Sequence, residues 1–180
     1  MEGSACGVKD KYFFFENILT NMDNKDHTTR QPSPSLTGGA RGGSILDRRY
    51  LRMARIWSEN SYCVRRQVGA LIVKDKMIIS DGYNGTPSGF ENICEEDGVT
   101  KPYVLHAEAN AITKIARSGN NSEGATLYVT DSPCIECSKL IIQAGIRRVV
   151  YARDYRLSDG IDLLRRAHIE VEHMPIEGYE

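Results

Sequence analysis

Two short blocks of the sequence carry the residue types of a zinc site. The first reads His-Ala-Glu and the second reads Pro-Cys-Ile-Glu-Cys. His106, Cys134 and Cys137 are good zinc ligands, whereas Glu108 is a carboxylate that the metal does not need to complete its protein ligands. Structural zinc sites usually have four protein ligands, while catalytic sites keep one position open for water. Three ligands and a spare carboxylate therefore predict hydrolytic chemistry.

Each block lies at the predicted start of a helix. Residues 105–117 carry apolar side chains at helical spacing, and residues 133–145 begin with Pro and end with Gly. In the second helix, both sulfurs are expected to point the same way. A strand at residues 125–129 would place both helix N-termini at one end of a sheet, where ligands of α/β proteins bind. Residues two apart on an ideal helix point about 200° apart, so the spacing does not explain how the His and Glu share a site.

Strands and helices alternate along the rest of the domain. A helix begins at Ile45, and two apolar runs joined by Lys74-Asp75-Lys76 predict a hairpin, although this link lacks the usual Gly or Asn. The predicted order is α-β-β-α-β-α-β-α-β, which indicates an α/β fold with a mostly parallel sheet and an antiparallel edge. Residues 82–104 are predicted to form a long loop, and such loops are often functional.

The length of 180 residues fits one domain. Residues 1–44 are predicted to be a disordered leader, because the stretch 28–44 is rich in Thr, Pro, Ser, Gly and Arg and cannot bury enough apolar surface. Residues 45–176 are predicted to form the catalytic domain, and residues 177–180 a tail.

Composition narrows the expected partners and location. The net charge of −1, from 23 basic and 24 acidic residues, offers no electrostatic basis for binding nucleic acid or an anionic membrane. No apolar run approaches the roughly 18 residues of a membrane span, and the N-terminus lacks a secretory signal. Five cysteines, two of them in a CxxC, then fit reduced thiols and metal binding better than a disulfide framework. We expect a cytoplasmic protein.

The two blocks resemble the H-x-E…P-C-x-x-C pattern of the cytidine deaminase superfamily. Longer stretches at residues 82–87 (Gly-Tyr-Asn-Gly-Thr-Pro), 106–112 (His-Ala-Glu-Ala-Asn-Ala-Ile) and 141–146 (Ile-Ile-Gln-Ala-Gly-Ile) resemble the deoxycytidylate (dCMP) deaminases. The resemblance covers about residues 46–174. It implies the three-layer α-β-α cytidine deaminase-like fold with a five-stranded mixed sheet.

The resemblance also implies a mechanism. One catalytic Zn²⁺ per subunit, held by His106, Cys134 and Cys137, would activate a water for attack on C4 of cytosine. Glu108 would take the proton of that water as a general base and then deliver protons as a general acid. The small-molecule substrate would be the nucleotide dCMP, and the product dUMP would supply thymidylate synthesis.

Three further residues match positions that contact the substrate in family members. Asn84 would hydrogen-bond the nucleotide, Arg117 would bind its phosphate through a bidentate fork, and Tyr155 follows the fourth predicted strand. Structural alternatives stay open for two of them. Asn84 could cap its own loop, and Arg117 could stabilise the end of its helix.

Cys63 and Cys94 lie in regions that hold a second, structural zinc in some family members. The long loop has no His between Cys94 and His106, so the ligand set is incomplete. We therefore expect these two cysteines to be ordinary core residues. The resemblance further implies a homo-oligomer, often a hexamer, with active sites near subunit interfaces.

Two alternative functions stay open. The first is another deaminase of the same fold, acting on tRNA adenosine, guanine, cytidine or a riboflavin precursor, since the fold does not fix the base. The near-neutral charge argues against tRNA, and Asn-Ala-Ile after His-Ala-Glu-Ala favours dCMP. The second is a non-catalytic zinc module in a DNA-uptake-type assembly, against which Glu108 argues, because a structural site has no use for that carboxylate.

Overall fold

The computed structural model describes residues 44–155 and 157–178 of the protein. The predicted leader therefore lies outside the described residues, apart from Ser44, and residues 177–178 of the predicted tail form a turn. Among the described residues, no helix is long and apolar enough to cross a membrane.

A five-stranded mixed sheet forms the centre of the domain, with strand order β2-β1-β5-β6-β7. The elements are α1 (Ile45–Ser58), β1 (Gly69–Lys74), β2 (Met77–Tyr83), β3 (Glu95–Glu96), β4 (Val99–Thr100), α2 (Ala107–Ala116), β5 (Thr126–Asp131), α3 (Ile135–Gln143), β6 (Arg148–Arg153), α4 (Asp159–Arg166) and β7 (Glu170–His173). β1 is antiparallel to both β2 and β5, whereas β5, β6 and β7 are parallel. The predicted α/β fold with a five-stranded mixed sheet is confirmed.

Helices cover both faces of this sheet. Along β1, Ala70 and Ile72 belong to the core shared with α2, α3 and α4, whereas Leu71 and Val73 belong to the core shared with α1. Successive residues of a strand point to opposite faces. Burial on both faces explains why this strand is a continuous apolar run in the sequence, and the three layers match the prediction.

The connections hold two features that the sequence pattern did not show. The first hairpin turns through Asp75 and Lys76, both with positive φ (51° and 65°), the conformation of a type I′ turn. Neither is the Gly or Asn that usually adopts it. The predicted long loop contains a small hairpin, β3 with β4. Strands of two residues are too short to produce a periodic pattern.

α2 lies directly against β2 at one glycine. A Cβ atom at Gly82 would stand 2.2 Å from the carbonyl oxygen of Ala107 and 2.6 Å from the backbone nitrogen of Ala111. Any larger residue would push the helix away from the sheet. Gly82 thereby fixes the first turn of α2, which carries one of the two zinc-site blocks.

A buried carboxylate attaches α1 to the sheet. Asp47 accepts hydrogen bonds from Arg148 (Nη1 2.8 Å, Nη2 3.2 Å) and from the Tyr128 hydroxyl (2.6 Å). It also forms a capping box with Ser44 at the start of the helix. Burial opposes ionisation, but the bonds from Arg148, Tyr128 and Ser44 outweigh it and hold the pKa of Asp47 well below its ordinary value.

We expect Asp47→Asn to lower the free energy of unfolding at pH 7 by about 3 kcal/mol, because it removes one partner of a buried ion pair. The pKa of Asp47 is lower in the folded protein than in the unfolded chain, where it is about 3.9. The ionised carboxylate therefore stabilises the folded protein above about pH 3.9, and this stabilisation is lost as the pH falls towards the pKa of the folded state. The difference between wild type and variant should therefore shrink below about pH 4 in urea unfolding.

Glu177→Gln is the control for this prediction, because Glu177 is an exposed carboxylate. Its effect on the free energy of unfolding should stay within about 0.5 kcal/mol. A difference between wild type and Asp47→Asn that is the same at pH 7 and pH 2 would contradict the proposed ionisation of Asp47.

Candidate metal and catalytic site

The two zinc-site blocks meet at the N-termini of α2 and α3. His106 is the N-cap of α2 and Cys134 is the N-cap of α3, and both have extended backbones (φ −73°, ψ 156° and φ −73°, ψ 170°). Neither side chain caps its own helix, and neither residue type is preferred at N-caps. Both helices thus begin later than predicted, and Cys134 precedes the helix whose first turn contains Cys137.

The three candidate ligands are close enough to share one metal ion. His106 Nδ1 lies 3.5 Å from Cys134 Sγ and 3.4 Å from Cys137 Sγ, and all three ligand atoms lie within 4.8 Å of one another. Tetrahedral zinc with Zn–N bonds of about 2.0–2.1 Å and Zn–S bonds of about 2.3 Å separates nitrogen and sulfur ligands by about 3.5 Å. The cluster therefore fits zinc in both ligand type and spacing.

The protonation of the two thiols also suits a bound cation. A hydrogen bond from Cys137, together with one from His106, lowers the pKa of Cys134 to about 3, so that this sulfur is a thiolate at neutral pH. The hydrogen bond to that thiolate, together with burial, raises the pKa of Cys137. The same thiolate raises the pKa of His106. A second thiolate beside the first needs a positive charge, which a metal ion supplies.

Glu108 lies beside the cluster, buried in the first turn of α2 with 4% of its surface exposed. Because His106 precedes the helix in an extended conformation, the angle between residues two apart on an ideal helix does not apply to this pair. The two side chains can therefore share one site. Burial raises the pKa of Glu108 to about 7. A carboxyl group that ionises near neutrality can both accept and release a proton.

His106, Cys134 and Glu108 line a cavity of about 340 Å³. Polar side chains from several segments form its other walls, among them Arg65, Arg66, Asn84, Asp131 and Tyr155. This volume lies in the usual range of small-molecule sites, about 300–1,000 Å³.

Two of the three predicted substrate-binding residues line this cavity. Tyr155 packs its ring 5.0 Å from the guanidinium carbon of Arg66. Asn84 uses its side-chain amide on backbone groups: Oδ1 accepts from the nitrogen of Val68 and Nδ2 donates to the carbonyl of Arg66, both at 2.8 Å. In this chain Asn84 therefore holds the segment before β1 in place.

Arg117 is not brought to the cavity. It is the exposed C-cap of α2, at the opposite end from His106, and ten helical residues separate the two ends by about 15 Å. The arginines that line the cavity are Arg65 and Arg66, which the sequence analysis did not predict as site residues. Their one signal is a pair of adjacent arginines directly before an apolar strand, which by itself is typical of a solvated loop.

Cys63 and Cys94 are joined in a disulfide, with their Cα atoms 5.1 Å apart. Both lie in the core as expected, at 3% and 1% exposed, but the expectation of reduced thiols is wrong for this pair. The long loop brings Cys94 back beside Cys63 across 31 residues, a pairing that sequence spacing cannot reveal. Among the described residues, the cluster of His106, Cys134 and Cys137 is the one group of three or more possible ligands that could hold a metal ion.

Residues 44–153 match the family described as the cytidine and deoxycytidylate deaminase zinc-binding region. The deoxycytidylate deaminase of Enterobacteria phage T4 is 36% identical over 169 residues, covering 69% of this chain and 88% of the phage protein. ComE operon protein 2 of Bacillus subtilis is 37% identical over 134 residues, covering 71% of this chain and 70% of that protein. The crystal structure of dCMP deaminase from the cyanophage S-TIM5, in complex with dCMP and dUMP, matches with a TM-score of 0.69 and 50% identity, covering 70% of this chain and 94% of the other.

We expect the purified protein to contain one zinc per chain and Cys137→Ser to contain almost none, because loss of one of three protein ligands leaves too few to retain the metal. Elemental analysis by mass spectrometry measures both. Cys94→Ser is the matched control, since Cys94 lies in the disulfide and outside the cluster. Two zincs per chain, one of them lost in Cys94→Ser, would contradict this assignment of the cysteines.

Proposed function

This chain belongs to the cytidine and deoxycytidylate deaminase family, and from that membership we propose that it converts dCMP and water to dUMP and ammonia in a zinc-dependent reaction. The observation that carries the proposal is a buried carboxyl group, Glu108, beside a cluster of three zinc-type ligands in a cavity that also presents arginines. Members of the family are zinc-binding deaminases, and such enzymes are hydrolases.

The chain's own residues divide the chemistry between them. His106, Cys134 and Cys137 would hold zinc, which when bound supplies a Lewis acid that lowers the pKa of a water molecule towards neutrality. Glu108 accepts a proton from the water as its oxygen forms a bond to C4 of the cytosine ring. Glu108 gives that proton to the ring nitrogen N3, then takes the proton of the new C4 hydroxyl and passes it to the amino group. The bond from C4 to the amino nitrogen breaks, ammonia leaves, and the C4 oxygen becomes the carbonyl of uracil.

The arginines of the cavity support a nucleotide over a free base or nucleoside. Arg65 and Arg66 line the same cavity as Asp131 and Tyr155, and guanidinium groups bind phosphate through paired hydrogen bonds. We therefore assign the 5′-phosphate of dCMP to Arg65 and Arg66 in place of Arg117. The names of the phage T4 and S-TIM5 relatives agree with dCMP as the substrate.

The proposal extends to the setting of the reaction. The product dUMP would supply thymidylate synthesis in the cytoplasm, and the active form would be a homo-oligomer, as in the hexamers that the family resemblance implies. Exposed apolar residues on α1 support an interface between subunits: Ile45, Met53 and Ile56 are 72%, 44% and 62% exposed.

A substrate panel tests the proposed function. Ammonia release from dCMP, deoxycytidine, cytidine, guanine and a tRNA should be fastest with dCMP. We expect kcat/KM for dCMP to exceed that for deoxycytidine about 100-fold, because two charge-assisted contacts to the phosphate together contribute about 3 kcal/mol. Faster release from guanine or tRNA would identify another deaminase of this fold. Turnover of no substrate would favour the non-catalytic zinc module.

Glu108→Gln tests the assigned proton transfer. We expect the variant to keep its zinc and to lose about 100- to 10,000-fold in kcat, the usual contribution of general acid–base catalysis. Glu136→Gln is the matched control, because Glu136 lies in the first turn of α3, exposed and paired with Lys139 at 2.6 Å. Its kcat should equal that of wild type. Undiminished deamination by Glu108→Gln would refute the assignment.

A further inference from the structure

The proposed mechanism leaves one buried carboxylate of the cavity wall without a role. Asp131 is the last residue of β5, 4% exposed, and lies three residues before Cys134. Its carboxylate accepts hydrogen bonds from Nε of Arg66 and, at 2.8 Å, from Nε of Arg153. One negative charge thus joins two positive side chains at the edge of the candidate site.

The topology of the sheet brings these three residues together. Asp131 and Arg153 are register partners in the parallel pair of β5 and β6, so their side chains share one face. β1 runs antiparallel along the other side of β5, so the segment before β1, which contains Arg66, passes beside the end of β5. A hydrogen bond from the Gly69 nitrogen to Thr130 Oγ1 (3.2 Å) holds this crossing.

Three contacts hold Arg66 in place, two to its side chain and one to its backbone. Asp131 binds Nε, the Tyr155 ring lies 5.0 Å from the guanidinium carbon, and Asn84 donates to the backbone carbonyl of Arg66 at 2.8 Å. Among the described residues, the two Nη groups of Arg66 donate no hydrogen bond to protein. A guanidinium carries five N–H donors in a rigid fork, so binding at Nε leaves the other four for a ligand.

We propose that Asp131 is a positioning residue that orients Arg66 towards the 5′-phosphate of the nucleotide, an inference that rests on the proposed function. Asp131 itself does not contact the phosphate. It fixes the plane of the guanidinium, and a guanidinium already held in its binding geometry loses less conformational entropy when the phosphate binds.

Charge alone predicts the opposite effect, which makes the proposal testable. Asp131 is an anion near the proposed phosphate position, so removing its charge would strengthen phosphate binding if electrostatic attraction were the main factor. Positioning predicts weaker binding instead. The sign of the change in affinity therefore separates the two explanations.

The test measures the binding of dUMP and of deoxyuridine, which lacks the phosphate, to zinc-loaded protein by calorimetry. We expect Asp131→Asn to raise Kd for dUMP about tenfold, equivalent to ~1.4 kcal/mol, and to leave Kd for deoxyuridine unchanged. In turnover, KM for dCMP should rise while kcat and the rate with deoxycytidine stay within about twofold. Unchanged or tighter dUMP binding, or equal losses for both ligands, would overturn the proposal.

Asp81→Asn is the matched control. Asp81 also accepts a hydrogen bond from a cation, Lys114 Nζ at 2.6 Å, but lies on β2 and does not line the cavity. Its Kd for dUMP should equal that of wild type. Asp131→Glu keeps the charge and moves the carboxylate by one methylene, so it should also weaken dUMP binding, and it provides the comparison should Asp131→Asn fail to fold.

A double-mutant cycle tests whether Asp131 acts through Arg66. In an Arg66→Gln background, Asp131→Asn should cause no further loss of dUMP affinity, whereas fully additive losses would contradict the proposal. The wild-type protein separates this inference from the proposed function. Binding of dUMP without turnover of dCMP would reject the deaminase activity alone, and a wild-type protein that binds no dUMP would reject both.

Discussion

The site depends on two helix N-termini that start at the same edge of one sheet. α2 precedes β5 in the chain and runs antiparallel to it, whereas α3 follows β5 directly. Both helices therefore begin at the carboxyl end of that strand. His106 and Cys134 occupy the N-cap positions there, with extended backbones that turn their side chains towards each other. Close packing at Gly82 keeps α2 in this place. A shift of either helix start would separate the ligand atoms, whatever their spacing in the sequence.

Two regions of different charge share the cavity. One contains Cys134 and the buried Glu108, and Cys137 lies beside them, where a metal cation is needed to balance a second thiolate. The other contains Arg66 and Asp131, and Asp131 also accepts a hydrogen bond from Arg153, which does not line the cavity. A pyrimidine monophosphate has a matching division, with an amine-bearing ring at one end and an anionic phosphate at the other. Under the proposed function, this division of charge would both bind and orient such a substrate.

Much of the fold could be predicted because it depends on local patterns. Apolar runs, helical spacing and the Pro and Gly that bound α3 indicated the order of the main elements. Sequence patterns did not predict the β3–β4 hairpin, because its strands are only two residues long. They also did not predict the type of turn at Asp75 and Lys76, because neither residue is the Gly or Asn usual in such turns. They also failed where two distant residues meet, as in the disulfide of Cys63 with Cys94.

The sequence by itself determined the chemistry of the site, because ligand type and the spacing of His106, Glu108, Cys134 and Cys137 are local properties. Only the tertiary structure decided how Glu108 comes to lie beside the three candidate metal ligands, through the extended N-cap that precedes it. It also decided which arginine faces the cavity, placing Arg66 there and leaving Arg117 at the far end of α2. The physical reason is that a side chain's role in a shared site depends on where separate strands and helices end relative to one another, and sheet pairing sets those positions.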